Sequence, residues 1–266
     1  MGVLRVRLIL RAWLQPQQGG RMQSNEYWNA ETAAGYDTPG EGAFADAVVR
    51  PALDRLEELA EGGRVLEFAI GTGRVAVPLR ARGVDVSGIE LSPDMVDQLR
   101  TKVDATELPV VLGDMTTARA EGRFALVYLV FNTIGNLLTQ REQVDCFRNA
   151  AAHLRPGGRF VIEMMVPELR HLTPGKSATV FSVEPGYIGV DTYDPLDQQL
   201  VSYHFRFGAG SDAQVFRMPQ RYAWPAELDL MAQLAGFERE SRHADFAGSP
   251  FTAESTSHVT VYRQPR

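Results

Sequence analysis

The sequence predicts an open α/β sheet, doubly wound and mostly parallel, with an antiparallel β-meander inserted late in the chain. Three observations predict it. Apolar strand-like runs alternate with amphipathic helical stretches from Arg64 to Met164, at the spacing of successive βα units. One junction in that run, Gly71-Thr-Gly73, is glycine-rich and opens directly into a helical stretch. From Ala178 to Tyr222 the pattern turns to four β-rich segments separated by turn residues.

In chain order, residues 1–22 are set apart. Arg5, Arg7 and Arg11 interrupt the apolar residues, so neither a signal-peptide core nor a membrane span fits, and Gln15-Pro-Gln-Gln-Gly-Gly20 reads as a linker. A disordered N-terminal extension over 1–22, followed by a single domain over 23–266, is expected in a cytoplasmic protein. Tyr27, Trp28 and Tyr36 lie in a short helical segment that either staples itself to the body or covers a ligand. Glu41 to Arg50 reads as one helix, and Pro51 as the first turn of another ending at Gly62-Gly63. Val65 and Leu66 end a buried strand. Arg74 to Arg82 is helical, Val84 to Ile89 is a strand, and Ser92-Pro93 caps the helix that follows. Pro109 to Leu112 and Phe124 to Phe131 are strands, the second apolar enough to be central. Thr139 and Glu142 form a capping box for a helix that stops before Pro156-Gly-Gly158. Arg159 to Met164 is the next strand. The meander, expected as a β cap over 176–223, leads to a helix from Pro225 and a last strand from Ser257 to Arg263.

Composition excludes several classes. The 266 residues carry a net charge of −6 with acids and bases interspersed, which argues against general nucleic-acid binding and leaves no basic stripe for it. The lone Cys146 rules out an internal disulfide and reads as a buried small hydrophobe. The five histidines have no ligand-type spacing, so no metal is expected.

The glycine stretch points to an adenosine-containing cofactor. Gly71-Thr-Gly-Arg-Val-Ala76 satisfies G-x-G-x-x-A, and Glu90 ends the next strand, where a ribose-binding acid belongs. A nicotinamide-binding Rossmann domain would show the same. Glu67, however, places a carboxylate where a pyrophosphate would be repelled and an ammonium welcomed. Gly113-Asp-Met115 after the third strand supplies an acceptor for an adenine amino group. Pro156-Gly-Gly158 and the lone closing strand complete the pattern.

At these positions the chain resembles class I S-adenosylmethionine-dependent methyltransferases, over roughly Tyr36 to Arg263. The resemblance implies a Rossmann-like seven-stranded sheet in the order 3-2-1-4-5-7-6. It implies that Glu67-Phe-Ala-Ile-Gly-Thr-Gly73, with Ala69 in place of the family's first glycine, wraps the methionine portion. Because Ala disfavours positive φ, that turn is expected to depart from the family's. Glu90 is implied at the ribose hydroxyls, Leu91 beside it as a further cofactor-binding residue, Asp114 and Met115 at the adenine, and the Phe131 carbonyl near the sulfonium. Leu91-Ser-Pro-Asp-Met95, Phe131-Asn-Thr-Ile-Gly-Asn-Leu137 and Thr173-Pro-Gly175 are more narrowly similar to the aminosugar N-methyltransferases of macrolide biosynthesis, whose Tyr-Asp lid pair looks like Tyr36-Asp37. Those enzymes have a histidine where this chain has Asn136, which can hydrogen-bond an acceptor but cannot titrate.

The activity implied is methyl transfer from S-adenosyl-L-methionine to a small-molecule acceptor, an amine of a natural product or aminosugar. A hydroxyl acceptor would call for a general base. His204 is the candidate, unless it packs the meander on the main sheet as Tyr203, Tyr222 and Trp224 would. Glu163 either meets an ammonium or caps a loop. An O-methyltransferase and a catalytically silent cofactor-binding protein stay open as alternatives, as do monomer and homodimer.

Overall fold

The computed structural model describes residues 27–169, 172–173, 175–208 and 213–266; the extension expected over 1–22 lies outside them. Two sheets are formed. The first contains β1 (Val65–Phe68), β2 (Val86–Glu90), β3 (Val110–Leu112), β4 (Phe124–Leu129), β5 (Leu154–Met165), β10 (Glu238–His243) and β11 (Ser257–Arg263). Its order is β10-β11-β5-β4-β1-β2-β3. Counted by position in this sheet, that is the expected 3-2-1-4-5-7-6. β11 runs antiparallel to both β5 and β10, and the remaining neighbours are parallel.

Every residue of β1, β2 and β4 is buried, as a strand covered on both faces must be. One face packs Phe68, Val127, Leu129, Phe147, Phe160 and Tyr262 together. The other gathers Leu56, Leu79, Leu99, Leu126, Tyr128 and Val161. Around the sheet lie α1 (Ala30–Ala34), α2 (Asp46–Ala60), α3 (Ala76–Ala81), α4 (Pro93–Arg100), α5 (Gln140–His153) and α6 (Pro225–Leu234). The Thr139–Glu142 capping box forms as expected, with the Glu142 amide donating to Thr139 Oγ1 at 3.2 Å. Ser92 caps α4 in the same way.

Two local expectations change. Pro51 does not open a second helix; it lies inside α2, which runs unbroken from Asp46. The ring removes one hydrogen-bond donor, and burial of Leu53, Leu56 and Leu59 on the same helix outweighs that loss. Pro156-Gly-Gly158 also does more than end α5. Pairing along β5 jumps from Leu154, opposite Phe124, to Arg159, opposite Leu126, so residues 155–158 bulge out of the strand.

Between β5 and α6 stands a separate antiparallel sheet of β6 (Ala178–Glu184), β7 (Tyr187–Asp194), β8 (Gln199–Phe207) and β9 (Ala213–Arg221), in sequential order. Its foot is fixed by a buried polar network. Arg221 donates to Gln143 Oε1 at 2.6 Å and to Glu227 Oε1 at 2.7 Å, and Gln143 donates to the Ile134 carbonyl at 3.2 Å. Each buried charge therefore has a partner, the condition under which such a network is tolerable. Among the described residues no helix is long and apolar enough to cross a membrane.

Candidate active site

Four strand ends build the site. Where β1 ends, the chain must turn sharply into α3, and it does so through Ala69 (φ 51°), Gly71 (φ 56°) and Gly73 (φ 84°). The alanine thus takes the left-handed conformation despite its Cβ. Pairing of the Ile70 amide with the Ile89 carbonyl at 3.1 Å holds the turn in register, so Ala69 carries strain that a glycine would not. The two glycines serve different needs. A Cβ on Gly73 would come within 2.4 Å of Leu99, so that glycine lets the turn pack on α4. A Cβ on Gly71 would meet only the Ala69 carbonyl, at 4.0 Å, so its bare backbone fronts open space. A ligand can therefore approach the chain closely at Gly71.

Glu90 ends β2 and is buried. Its Oε2 accepts from the Gly71 amide and its Oε1 from the Ser92 amide, both at 2.8 Å. Burial raises its pKa, against the pull of those amides. Glu67 lies on β1 directly opposite Tyr128 of β4, whose hydroxyl donates to Glu67 Oε2 at 2.7 Å. Burial pushes the Glu67 carboxyl up to about 8, although Tyr128 and the Arg74 charge both favour its ionised form. Asp114 is exposed after β3, one oxygen accepting from the Thr116 amide and hydroxyl at 2.7 Å. Met115 is buried, and Asn149 of α5 donates to its carbonyl at 2.8 Å, which fixes this turn.

Just beyond β4 come Phe131 (φ 59°) and Asn132 (φ 60°), a second strained pair. The strain is held by side chains. Glu163 accepts from the Phe131 amide at 2.8 Å, and Asn132 Oδ1 accepts from the Met165 amide at 2.5 Å. Glu163 is therefore a loop cap. Asn136 closes the single 3-10 turn that follows, Thr133–Asn136, and is half-buried.

The segment before the sheet folds back over the glycine turn. Ser92 Oγ donates to the Trp28 carbonyl at 2.5 Å, Thr72 Oγ1 donates to Asp37 at 2.5 Å, and Lys102 pairs with the same carboxylate. Tyr36 sits edge-on to Trp28 and Phe44, and the charges of Arg74, Asp37, Glu67 and Glu90 all act on its hydroxyl. The structure thus brings Tyr36, Glu67, Ala69, Gly71 and Glu90 to one place, with Leu91 exposed beside them.

His204 stands elsewhere. It lies mid-strand in β8, with Nδ1 2.7 Å from the Tyr187 hydroxyl and its ring against Phe181 and Phe216. Residues missed from the sequence are Arg74 and Tyr128. Arg74 donates to the Ala43 carbonyl at 3.0 Å, and its guanidinium lies 4.7 Å from the Phe131 ring centroid. Its place in the glycine motif was the available signal. Tyr128 had none, because only strand register sets it beside Glu67.

A family model described as a methyltransferase domain matches residues 65–158, the stretch from β1 through the bulge of β5. The CcbJ methyltransferase from Streptomyces caelestis is 36% identical, over 93% of this chain and 100% of that one, with a TM-score of 0.80. This chain belongs to the S-adenosylmethionine-dependent methyltransferases. Two further relatives match at lower identity or over part of the chain. A cypemycin N-terminal methyltransferase from a Streptomyces species is 27% identical over 84% of this chain and 89% of its own. The dTDP-3-amino-3,4,6-trideoxy-alpha-D-glucopyranose N,N-dimethyltransferase of Streptomyces venezuelae is 35% identical over 39% of this chain and 43% of its own. The methyltransferase uses S-adenosyl-L-methionine as its cofactor. The open space at Gly71, flanked by the Glu67 and Glu90 carboxyl groups, suits a ligand with both hydroxyl donors and an ammonium.

Proposed function

We propose that this methyltransferase acts on the amine nitrogen of a small-molecule natural product or aminosugar, in the cytoplasm. The carrying observation is the pair of candidate acceptor residues. Asn136, at the carboxyl end of β4, is a neutral amide. His204, the one imidazole offered as a base, stands four residues along β8 from the layer that meets the 3-10 turn, about 13 Å at strand spacing. An amine that arrives neutral needs alignment more than a base, whereas a hydroxyl needs its proton removed. The names of two relatives, an N-terminal methyltransferase and an aminosugar N,N-dimethyltransferase, favour the same choice.

When bound, the cofactor supplies a methyl group already activated on a sulfonium. The chain's work is then to bind, orient and exclude water. Glu90 and Leu91 would hold the ribose, and Asp114 with the Met115 amide the adenine. Glu67 and the turn Ala69, Gly71 and Gly73 would surround the methionine portion. Its ammonium would restore charge to a carboxyl that burial otherwise keeps protonated, and Arg74 stands ready for the carboxylate. The Phe131 carbonyl would lie near the sulfonium. Tyr36 would close over the site, removing water from the reacting centre. Asn136 would accept a hydrogen bond from the amine and aim its lone pair at the methyl carbon.

The test has two stages. Calorimetry should show binding of S-adenosylhomocysteine and none of NAD. Labelled methyl donor should then give N-methyl products with amines, including 3-amino-3-deoxy sugars, and nothing with the matching alcohols. Methylation of the alcohols alone would establish the O-methyl alternative, and cofactor binding without any transfer would leave a silent binding protein.

A further inference from the structure

The four-stranded sheet has one face turned toward the site. At its foot Gln220 lies beside Gly135, and Tyr193, Leu200 and Tyr222 pack against Met165 at the end of β5. Gln199 and Arg221, whose side chains leave the opposite face, reach the Leu138 carbonyl, Gln143 and Glu227, over α5 and α6. Strand alternation therefore puts Leu200, Ser202 and His204 on the face above the ends of β4 and β5. The cross-strand partners on that face are Tyr193, Asp191 and Gly189 of β7, and Gln220, Met218 and Phe216 of β9.

Two features of this face lack partners. Asp191 is half-buried and accepts one hydrogen bond, from the Ser202 hydroxyl at 2.6 Å. Among the described residues it has no ion pair, and its other oxygen has no donor. Such a carboxylate costs desolvation that a matching cation would offset. One layer further, the buried Nε2 of His204 has no hydrogen-bond partner. That ring sits between Phe181 and Phe216, and Phe181 lies flat across the sheet because Gly189 has no Cβ; one there would fall 2.3 Å from the ring. Half of Phe181 and over a third of Phe216 remain exposed.

We propose that this face is the acceptor subsite, where Asp191 binds an ammonium group and the rings of Phe181, His204 and Phe216 take an apolar group about 7 Å away, one side-chain repeat along the strand. The acceptor class is then an amphipathic molecule that carries, besides the neutral amine to be methylated, a second, cationic nitrogen with an adjoining aryl or alkyl body. The inference rests on the reading that the enzyme methylates a small-molecule amine.

Calorimetric titration of the full chain loaded with S-adenosylhomocysteine tests it, with phenethylamine as the cation and 2-phenylethanol as its neutral match. The amine should bind about tenfold more tightly than the alcohol, the scale of one charge-assisted hydrogen bond. Asp191→Asn should abolish that preference and leave alcohol binding unchanged, with Asp191→Ser as the second variant should the first fail to fold. Phe216→Ala should weaken both probes alike. Equal affinities in the wild type, no amine binding at about millimolar concentration, or a preference that survives in both Asp191 variants would overturn the proposal. Loss of S-adenosylhomocysteine binding or of methyl transfer to every amine would instead sink the parent reading.

Discussion

Tyr128 donates its hydroxyl hydrogen to Glu67 across adjacent parallel strands, at 2.7 Å and with both side chains buried. Among the described residues Tyr128 is the one side-chain donor to this carboxyl, which burial lifts from 4.5 to about 8. Between those values the folded state holds a proton that the unfolded chain has released. The contribution of Glu67 to the stability of the ligand-free protein should therefore fall as pH rises from about 4.5 to about 8, and level off above. Glu90, Glu163 and Asp191 shift in the same direction, while burial holds His153, His204 and His258 below the usual imidazole range and so acts the opposite way; the share of Glu67 is read by difference. Glu67→Gln should flatten the dependence of melting temperature on pH in scanning calorimetry; parallel curves would contradict the assignment.

Removing the donor should act on the cofactor side. In Tyr128→Phe the Glu67 carboxyl loses a bond that favours its charged form. Affinity for S-adenosylhomocysteine at neutral pH should drop about tenfold and recover as the buffer is made alkaline. A pH-independent loss would point to packing alone.

Cofactor and acceptor roles should separate by mutation. Gly71→Val places a branched side chain at φ 56° and fills the open approach, and Glu90→Ala strips the acceptor from two backbone amides. Each should weaken S-adenosylhomocysteine binding by at least about tenfold. Asn136→Ala should keep that affinity and lose turnover. Unchanged cofactor affinity in the first two variants would refute the placement.

Ala69 stores backbone strain, so Ala69→Gly should relieve it. The left-handed penalty of about 1–2 kcal/mol is partly cancelled by the greater unfolded-state freedom of glycine, about 0.4–1 kcal/mol. The variant should be more stable by roughly 0.5 kcal/mol in urea unfolding. Ala69→Val should be destabilised, since a β-branched residue fits that conformation worse.

Cys146 is buried on α5, and burial raises its thiol far beyond the usual range. It should resist Ellman's reagent in the native protein and react in denaturant. Rapid native labelling would mean that α5 opens.

Much of this was legible in the sequence because local chemistry forced it. The alternation of apolar runs determined the doubly wound sheet, the Thr139–Glu142 box determined the start of α5, and the glycine stretch with Glu67 determined an adenosine cofactor bearing a cation. Those signals act within a few residues, where sterics and hydrogen bonding leave little choice. β10 escaped notice because an edge strand of charged residues, Glu238 to His243, has no apolar alternation to betray it. Only the tertiary structure decided the rest. Strand register, a contact across 61 residues, set Tyr128 beside Glu67. Pairing of the turn with β2 imposed on Ala69 a conformation its own side chain disfavours. The stance of the second sheet, fixed by Arg221, Gln143 and Glu227 from three separate elements, chose which face of β8 looks toward the site, a choice that no local pattern encodes.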